Sequence, residues 1–384
     1  MAEVALASAS EKQKWITQYF KEYVRESGFQ PYMGKSSTSC FVTKYELQEE
    51  GGKTINIPLI TRLSASGMRG AGVLDGNEEQ LGNYNLAISV DWIRNAVRVP
   101  KSAQFKTEIN LLDAARDMLK VWSADTLRTD IIKYMAGPVT TAGSIPAVGI
   151  FDSLGNTIAT AATAANYNTW SAANQDRVLY GNATSNYSAT HATGLATVDS
   201  TNDKLTAATA SLAKRMAKNA DPHIRPFRTG DGREYYVMFC GSRAFRDLKA
   251  DSTMIAANRD ARAREGGSMD DNPLFQDGDL IYDGIIFREI PEISTLITTS
   301  SIFATAGASS IPVEPNFLCG QQAMGIAWGQ EPSPQTDMVK DYKFRPGVAM
   351  EELRGLSKVW FATGTSDAAK QHGMVTVYTS GLAD

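Results

Sequence analysis

The stretch that decides the fold reads TINIPLI at residues 54–60, SASGMRGAGVLDG at 64–76 and YNLAISVDW at 84–92. In the outer two segments apolar residues alternate with polar ones, the period of a strand with one buried face. The middle segment is rich in glycine, which supplies no packing side chain and permits unusual backbone angles. Long loops inside a compact domain are usually functional or disordered. We therefore predict a long β-hairpin whose distal end reaches another molecule.

A long helix is predicted directly after the hairpin, from Phe105 to Met135, ended by Gly137-Pro138. At about 1.5 Å per residue it would span about 45 Å, a length typical of a structural spine. Its polar face carries acid-first pairs at i, i+3 spacing, each worth a few tenths of a kcal/mol. The pairs are Asp113–Arg116, Asp117–Lys120, Asp125–Arg128 and Asp130–Lys133.

The segment before the hairpin is predicted to be an N-terminal arm. Trp15, Tyr19 and Tyr23 recur at intervals of four and share one helix face. This face packs either on the chain's own core or on a neighbouring subunit.

The segment 139–200 is rich in Ala, Thr, Ser and Asn, with few charges and scattered aromatics, and we expect an irregular insertion with little regular structure. After it the chain alternates between helix and strand patterns without a regular βαβ repeat, so we predict an α+β fold. Helices are expected at 203–218 and 242–249, and strands at 235–240, 280–290 (a hairpin at Asp283-Gly284), 317–320, 324–328, 358–361 and 373–378.

Composition limits the function. The chain has 384 residues, 38 basic and 42 acidic, with a net charge of -4 and no basic arm, which argues against tight sequence-independent nucleic-acid binding. Cys40, Cys240 and Cys319 are odd in number and far apart, as expected of reduced thiols in a cytoplasmic product. The first residues lack a signal-peptide pattern, and no apolar run is long enough for a membrane helix.

A search for catalytic chemistry leaves no candidate site. His191, His223 and His372 are too dispersed for a metal motif, and the loop 67–72 lacks the spacing of a phosphate loop. Ser211 and Lys214 match SxxK but favour an ordinary helix face, and Cys240 after an apolar run favours a buried thiol. We predict no enzyme, no cofactor and no metal.

One basic segment has two readings. Arg225-Pro226-Phe227-Arg228, followed by Arg233, could contact phosphates or could form a surface loop that pairs with acidic neighbours. The second reading is the commoner outcome for exposed charges.

The order of arm, hairpin, spine helix, loop-rich region and late strands resembles the HK97-like fold of tailed-bacteriophage major capsid proteins, in particular the N-four-like podovirus major capsid family. The segments that carry the resemblance are 53–59, 74–81, 88–97, 224–226, 235–239 and Asp247-Leu248. It covers most of the chain from about residue 40, and the insertion 139–200 contains no motif that can be placed.

The resemblance implies five regions: an N-terminal arm (1–39), an extended loop, or E-loop, with the first peripheral strands (40–100), the spine helix of the peripheral domain (101–138), an axial domain (139–335), and peripheral strands with the C-terminus (336–384). It implies a major capsid protein that self-assembles into hexamers and pentamers of an icosahedral shell around double-stranded DNA. The implied location is the virion, after assembly in the cytoplasm of a bacterial host.

The implied partners are other copies of the chain, a portal and decoration proteins, and packaged DNA contacted weakly, with no membrane. Because only about 40 residues precede the hairpin, a separate scaffolding protein is expected. Two other functions stay open: an encapsulin-like compartment of the same fold that binds cargo peptides, and a soluble enzyme of unknown chemistry.

Candidate intersubunit contacts follow from the predicted hairpin. They are Lys53, Arg62, Met68, Arg69 and Leu74 on the hairpin, Glu351 and Glu352 near the C-terminus, and Trp15 and Tyr19 on the arm. Lys53 and Arg62 are expected to pair with Glu351 and Glu352 of a neighbour. Rings of two sizes need a flexible element, and the hinge candidates are Gly67, Gly70, Gly72 and Gly76.

Overall fold

The computed structural model describes residues 28–60, 63, 66–70, 72–79, 83–107, 110–138, 161–228, 232–257, 279–298, 303–337, 340–361 and 370–382. Within these ranges the chain is α+β, as predicted. The predicted arm helix with Trp15 and Tyr19, and residues 139–160 of the predicted insertion, lie outside the described residues.

The elements are numbered in chain order. The strands are β1 Met33–Gly34, β2 Phe41–Lys44, β3 Thr54–Ile60, β4 Asn83–Ser89, β5 Asp91–Arg98, β6 Val178–Tyr180, β7 Phe227–Arg228, β8 Glu234–Cys240, β9 Asp279–Tyr282, β10 Ile285–Glu289, β11 Val313–Cys319, β12 Met324–Asp337, β13 Gly347–Lys358, β14 Trp360–Phe361, β15 Lys370–Gln371 and β16 Met374–Ser380. The helices are α1 Leu47–Glu50, α2 Lys101–Phe105, α3 Leu111–Ala136, α4 Ala161–Ala173, α5 His191–Leu195, α6 Ala207–Asn219, α7 Ser242–Ala250, α8 252–257 and α9 Pro291–Thr298.

The chain divides into two compact units. Within the described residues, one unit comprises 92–127 and 330–353, and the other comprises 28–91, 128–329 and 354–382. A five-stranded sheet has the order β1-β2-β12-β13-β5. The segments α3, β5, β12 and β13 each contribute residues to both units.

The second unit contains a seven-stranded sheet of order β6-β16-β11-β8-β10-β9, with β7 beside β8. The predicted strands at 235–240 and 373–378 are confirmed as β8 and β16, and the hairpin at Asp283-Gly284 joins β9 to β10. Both turn residues have positive φ, 49° and 68°, which Asp-Gly tolerates. The last strand, β16, pairs with β6 and β11, so residues 374–380 lie in the sheet of residues 178–319 and not with the other strands predicted at 336–384.

Helix α6 presents an alanine face to the core of this unit. Its buried residues include Ala210, Ala213 and Ala217. The sequence predicts this helix over 203–218. It begins at Ala207, because the Thr206 side chain accepts a hydrogen bond from the backbone N–H of Thr209 at 3.3 Å and caps the first turn. Leu212 and Met216 are only partly buried beside this core.

The spine helix α3 is shorter than predicted. It begins at Leu111, not Phe105, because the Asn110 side chain accepts a hydrogen bond from the Asp113 backbone N–H at 3.4 Å. Phe105 ends the separate helix α2 and is 94% exposed. With 26 residues, α3 spans about 39 Å and ends just before Gly137-Pro138, as predicted.

Ion pairs hold α3 in place. The predicted Asp113–Arg116 pair forms at 3.1 Å. Arg128 pairs with Glu292 of α9 at 3.2 Å, and Asp130 pairs with Arg354 of β13. Charged residues near the C-terminal end of α3 therefore form tertiary ion pairs, whereas the pair near its N-terminal end lies within the helix.

The prediction of little regular structure in 139–200 is wrong for residues 161–200. This part contains α4, β6 and α5, and its aromatic residues Tyr167, Trp170 and Tyr180 are buried. His191 stacks on Tyr167 with ring centroids 4.7 Å apart, and its Nδ1 lies 2.8 Å from the hydroxyl of Tyr180. Burial lowers the pKa of His191 to about 3, so it is a neutral core histidine.

Glu314 of β11 is a buried carboxyl group in the second unit. Its Oε1 accepts a hydrogen bond from the hydroxyl of Ser294 at 2.6 Å. Burial raises the pKa of Glu314 from 4.5 to about 7, although Ser294 and the charge of Arg243 act in the opposite direction. Because the folded pKa lies above the unfolded one, the fold favours the neutral form. The stabilisation is complete below about pH 4.5 and is lost as the pH rises through about 7.

Replacing Glu314 with glutamine should therefore stabilise the fold at alkaline pH. We expect Glu314→Gln to raise the free energy of unfolding at pH 8 by about 1–3 kcal/mol and to change it little at pH 5. Thermal denaturation at both pH values measures this difference. A variant that is no more stable than the parent at pH 8 would contradict the assignment.

Candidate intersubunit surface

The predicted hairpin forms from β3 and β4. The strands are antiparallel, with Ile55 opposite Ile88, Ile57 opposite Leu86 and Leu59 opposite Tyr84. The second predicted strand does not continue through Trp92. Val90 interrupts it, so that β4 ends at Ser89 and β5 begins at Asp91. Val90 donates its backbone N–H to the carbonyl of Lys53 at 3.0 Å, which closes the base of the hairpin.

The base of the hairpin is buried in the second unit. Ile55, Leu86 and Ile88 are each less than 5% exposed. Two glycines make the close approach possible. A Cβ on Gly355 would lie 2.0 Å from the carbonyl oxygen of Ser89, and one on Gly325 would lie 2.7 Å from Cδ1 of Ile88. Any larger residue at Gly355 would have to displace backbone.

The distal end of the hairpin, residues 60–79, carries large apolar side chains into solvent. Exposed fractions range from 46% for Met68 to 68% for Val73, and Ile60, Leu63 and Leu74 lie between them. Arg69 is also exposed. Apolar side chains grouped at one exposed site are typical of an interaction surface, whereas single ones are common on any protein.

The four predicted hinge glycines are not equivalent. Gly67, Gly70 and Gly76 have φ of +66°, +70° and +83°, and a Cβ at any of them would meet no atom within 4 Å. Their backbone angles favour glycine while the space around them is open. Gly72 lies outside the positive-φ region, and a Cβ there would meet the flexible end of Met68, 2.5 Å away.

Residues 73–78 form a hydrogen-bonded turn rather than a loose loop. The backbone N–H of Asn77 donates to the carbonyl of Leu74 at 3.0 Å, and its side-chain amide donates to the carbonyl of Val73 at 3.1 Å. The N–H of Gly76 donates to the carboxylate of Glu78 at 2.9 Å. Gly76 therefore serves a defined turn, and the segment 67–70 is the stronger hinge candidate.

One predicted contact residue is unsuited to its role. Glu352 is fully buried, and its Oε2 accepts a hydrogen bond from the hydroxyl of Ser123 on α3 at 2.9 Å. The prediction that Glu352 pairs with a cation of a neighbour is therefore wrong. Side chains alternate along β13, so Glu352 points inward and the half-buried Glu351 points outward. Lys53 is exposed at the hairpin base, while Arg62, Trp15 and Tyr19 lie outside the described residues.

The residues weighed for catalysis have structural roles. Ser211 donates to Asp283 at 2.9 Å and Lys214 pairs with the same carboxylate at 3.0 Å, which confirms the helix-face interpretation. Cys240 is a buried free thiol whose pKa is raised by burial. In the part of the chain that the structure describes, His, Cys, Asp and Glu side chains do not form groups of three or more that could hold a metal ion. Nor does any helix within these residues have the length and apolar character needed to cross a membrane.

The two glycines that contact the hairpin base are not predicted from the sequence. Gly325 and Gly355 stand inside strand patterns, where a glycine often marks a close backbone approach. That signal was available, but it does not say which backbone approaches. Asn77, which fixes the distal turn, was also missed because its role depends on the conformation of the turn itself.

The chain is similar to known phage capsid proteins. The family described as phage capsid protein matches residues 3–382 of the chain. The major capsid protein of Pseudomonas phage KPP25 is 26% identical over 385 aligned residues, which cover 96% of this chain and 95% of the relative.

Solved structures give the same result. The capsid asymmetric unit of cyanophage Pam1 superposes with a TM-score of 0.85 at 39% identity, over the full length of both chains. The capsid of Ralstonia phage GP4 superposes with a TM-score of 0.70 at 19% identity, covering 100% of this chain and 99% of the other, which is a likeness of fold alone.

The seating of the hairpin base can be tested at Gly355. We expect Gly355→Ala to lower the free energy of unfolding by about 1–3 kcal/mol, because the new Cβ overlaps a backbone oxygen that cannot rotate away. Gly72→Ala is the control, since its Cβ meets only the end of Met68. Denaturant unfolding measures both variants, and equal stabilities would contradict the tight seating.

Proposed function

The chain belongs to the phage capsid protein family and is a phage major capsid protein, and we propose that it comes from a tailed phage and that its copies form hexamers and pentamers of an icosahedral shell around double-stranded DNA. The proposal extends to the described regions: the hairpin is the extended loop, α3 is the spine helix, and the peripheral and axial domains are those outlined above, except that β16 belongs to the sheet of the axial domain.

A single observation supports this function most strongly. The hairpin is fixed at its base by buried Ile55, Leu86 and Ile88, while its distal end holds exposed apolar side chains on a glycine-rich segment. An element that is buried at one end and exposes apolar side chains at the other is suited to lie across a second copy. Such head-to-tail contacts are heterologous and close into rings, as capsomers require.

The structure supports fewer candidate charged contacts than the sequence predicts. Lys53 of one copy and Glu351 of a neighbour remain candidate partners, because both side chains reach the surface. A single exposed pair contributes about 0–1 kcal/mol. Its repetition over a shell would add to the contact of the apolar end.

The proposed role is structural and not catalytic. We also propose a separate scaffolding protein, a portal and decoration proteins as partners, and assembly in the cytoplasm of the bacterial host before the chain becomes part of the virion. The net charge of -4 is compatible with weak contact to packaged DNA.

The hairpin contact is tested by making its distal end polar. We expect Met68→Gln combined with Leu74→Gln to leave subunit folding unchanged, because both side chains are exposed, and to reduce shell formation strongly. Ile255→Gln is the control, since Ile255 is 54% exposed on another part of the second unit. Circular dichroism reports folding, and negative-stain electron microscopy reports shells under conditions in which the parent chain assembles. Normal shells from the double variant would refute the contact.

The hinge is tested at Gly70. Proline fixes φ near about -65°, which is incompatible with the φ of +70° at this position. We expect Gly70→Pro to impair shell closure in a folded subunit and Gly72→Ala to assemble normally. Electron microscopy of both variants decides the matter, and closed shells of normal size from Gly70→Pro would remove the hinge.

A further inference from the structure

The chain is acidic overall, yet one surface of the second unit is basic. Four cations lie on α6 and around the β7–β8 pair, namely Lys218, Arg225, Arg228 and Arg233, and two of them, Lys218 and Arg228, contact the carboxylate of Glu234. Arg228 contacts Glu234 at 3.0 Å and Lys218 contacts it at 3.7 Å. Asp231, which follows β7 in the sequence, lies outside the described residues, and Lys214 pairs with Asp283.

Two of these cations have no counterion within the part of the chain that the structure describes. Among the described residues, the side chains of Arg225 and Arg233 make no hydrogen bond or ion pair. Arg225 is exposed. The charge of Arg225 also acts on the buried His372. Burial lowers the pKa of His372 to about 4, and the positive charges of Arg177 and Arg225 lower it in the same direction. The surface-loop interpretation thus holds for Arg228, whereas Arg225 and Arg233 are not paired with any carboxylate of the described residues.

The backbone carbonyl groups of residues 224–226 already accept hydrogen bonds from other parts of the chain. The carbonyls of Ile224, Arg225 and Pro226 accept hydrogen bonds from the Tyr236 hydroxyl at 3.1 Å, the Gln321 N–H at 2.8 Å and the Gln321 side-chain amide at 2.8 Å. Gly320 permits this approach, because a Cβ there would lie 2.3 Å from the carbonyl oxygen of Arg225. The segment therefore presents donors to solvent rather than acceptors.

Arg225, Pro226, Arg228 and Gln321 line an open cleft of about 310 Å³. Guanidinium groups carry five donors in a planar fork that matches the oxygens of a phosphate. We propose that this basic cleft binds phosphate groups and that, in the assembled shell, those groups belong to the backbone of the packaged duplex. This inference rests on the proposed capsid function and gives the weak DNA contact a location.

The cleft also explains why the contact is weak. Two or three phosphate contacts on an acidic subunit give binding that falls steeply with salt. Such contact holds a duplex against a surface without fixing its sequence or preventing its release.

The test uses the full chain, kept unassembled as verified by gel filtration, and a short fluorescein-labelled DNA duplex. Fluorescence anisotropy should show binding that weakens about 10- to 40-fold between about 50 and 200 mM salt, as expected for two or three phosphate contacts. Arg225→Gln and Arg228→Gln should each weaken binding and reduce the slope of log affinity against log salt by about 0.9. Arg116→Gln removes an exposed arginine from α3 and should leave the slope unchanged.

Several results would overturn the proposal. One is no binding by the parent chain at the lower salt, and another is equal slopes for the parent and the Arg225→Gln/Arg228→Gln variant. Displacement of duplex by poly-glutamate as effectively as by unlabelled duplex would assign the cleft to an acidic protein segment. Binding of inorganic phosphate without binding of duplex would assign it to a free anion.

Electron microscopy separates this inference from the proposed function. Shells formed by the double variant, together with lost DNA binding, would support the cleft and leave the capsid function intact. Failure of the parent chain to form shells under any assembly condition would instead count against the capsid function, whatever the cleft binds.

Discussion

The structure depends on the burial of one end of the β3–β4 hairpin. The carbonyl of Ser89 approaches Gly355 so closely that no side chain fits between them, and Ile55, Leu86 and Ile88 close the contact. This seating fixes where the hairpin leaves the subunit. Among the described residues of the distal end, the large apolar side chains of Met68, Val73 and Leu74 are exposed. The intersubunit contact that we propose would follow from how the hairpin is anchored.

Much of the fold could be predicted from the sequence, and the errors have physical causes. Period-2 patterns located β3 and β4, a continuous apolar run located β8, and Gly137-Pro138 located the end of α3. The start of α3 was misplaced because Asn110, a polar residue with no apolar phase, caps the helix. The helices and strand of 161–200 escape sequence prediction because the small residues there carry no amphipathic signal, although Tyr167, Trp170 and Tyr180 are buried around His191. The position of β16 follows from tertiary pairing, which the sequence pattern does not encode.

The candidate surface was predicted in part. The exposure of Met68, Arg69 and Leu74 agrees with the sequence analysis, whereas Glu352 was assigned to the wrong face because a single strand register decides which of two adjacent glutamates points outward. The ionisable groups of the interior have local roles. Glu314 is held by Ser294, and Lys358 lies over the ring of Trp170 at 5.2 Å, with its pKa lowered by burial to about 7. These polar groups of the described interior support packing, whereas the contacts proposed with other molecules lie at the apolar hairpin end and the basic cleft.

The central claim is that the distal end of the hairpin becomes buried only when copies assemble. Amide hydrogen exchange of residues 66–79, compared between unassembled subunits and purified shells, measures this directly. The account predicts fast exchange in subunits and marked protection in shells, while residues 54–57 and 86–89 at the seated base are protected in both states. Equal exchange of residues 66–79 in the two states would contradict it.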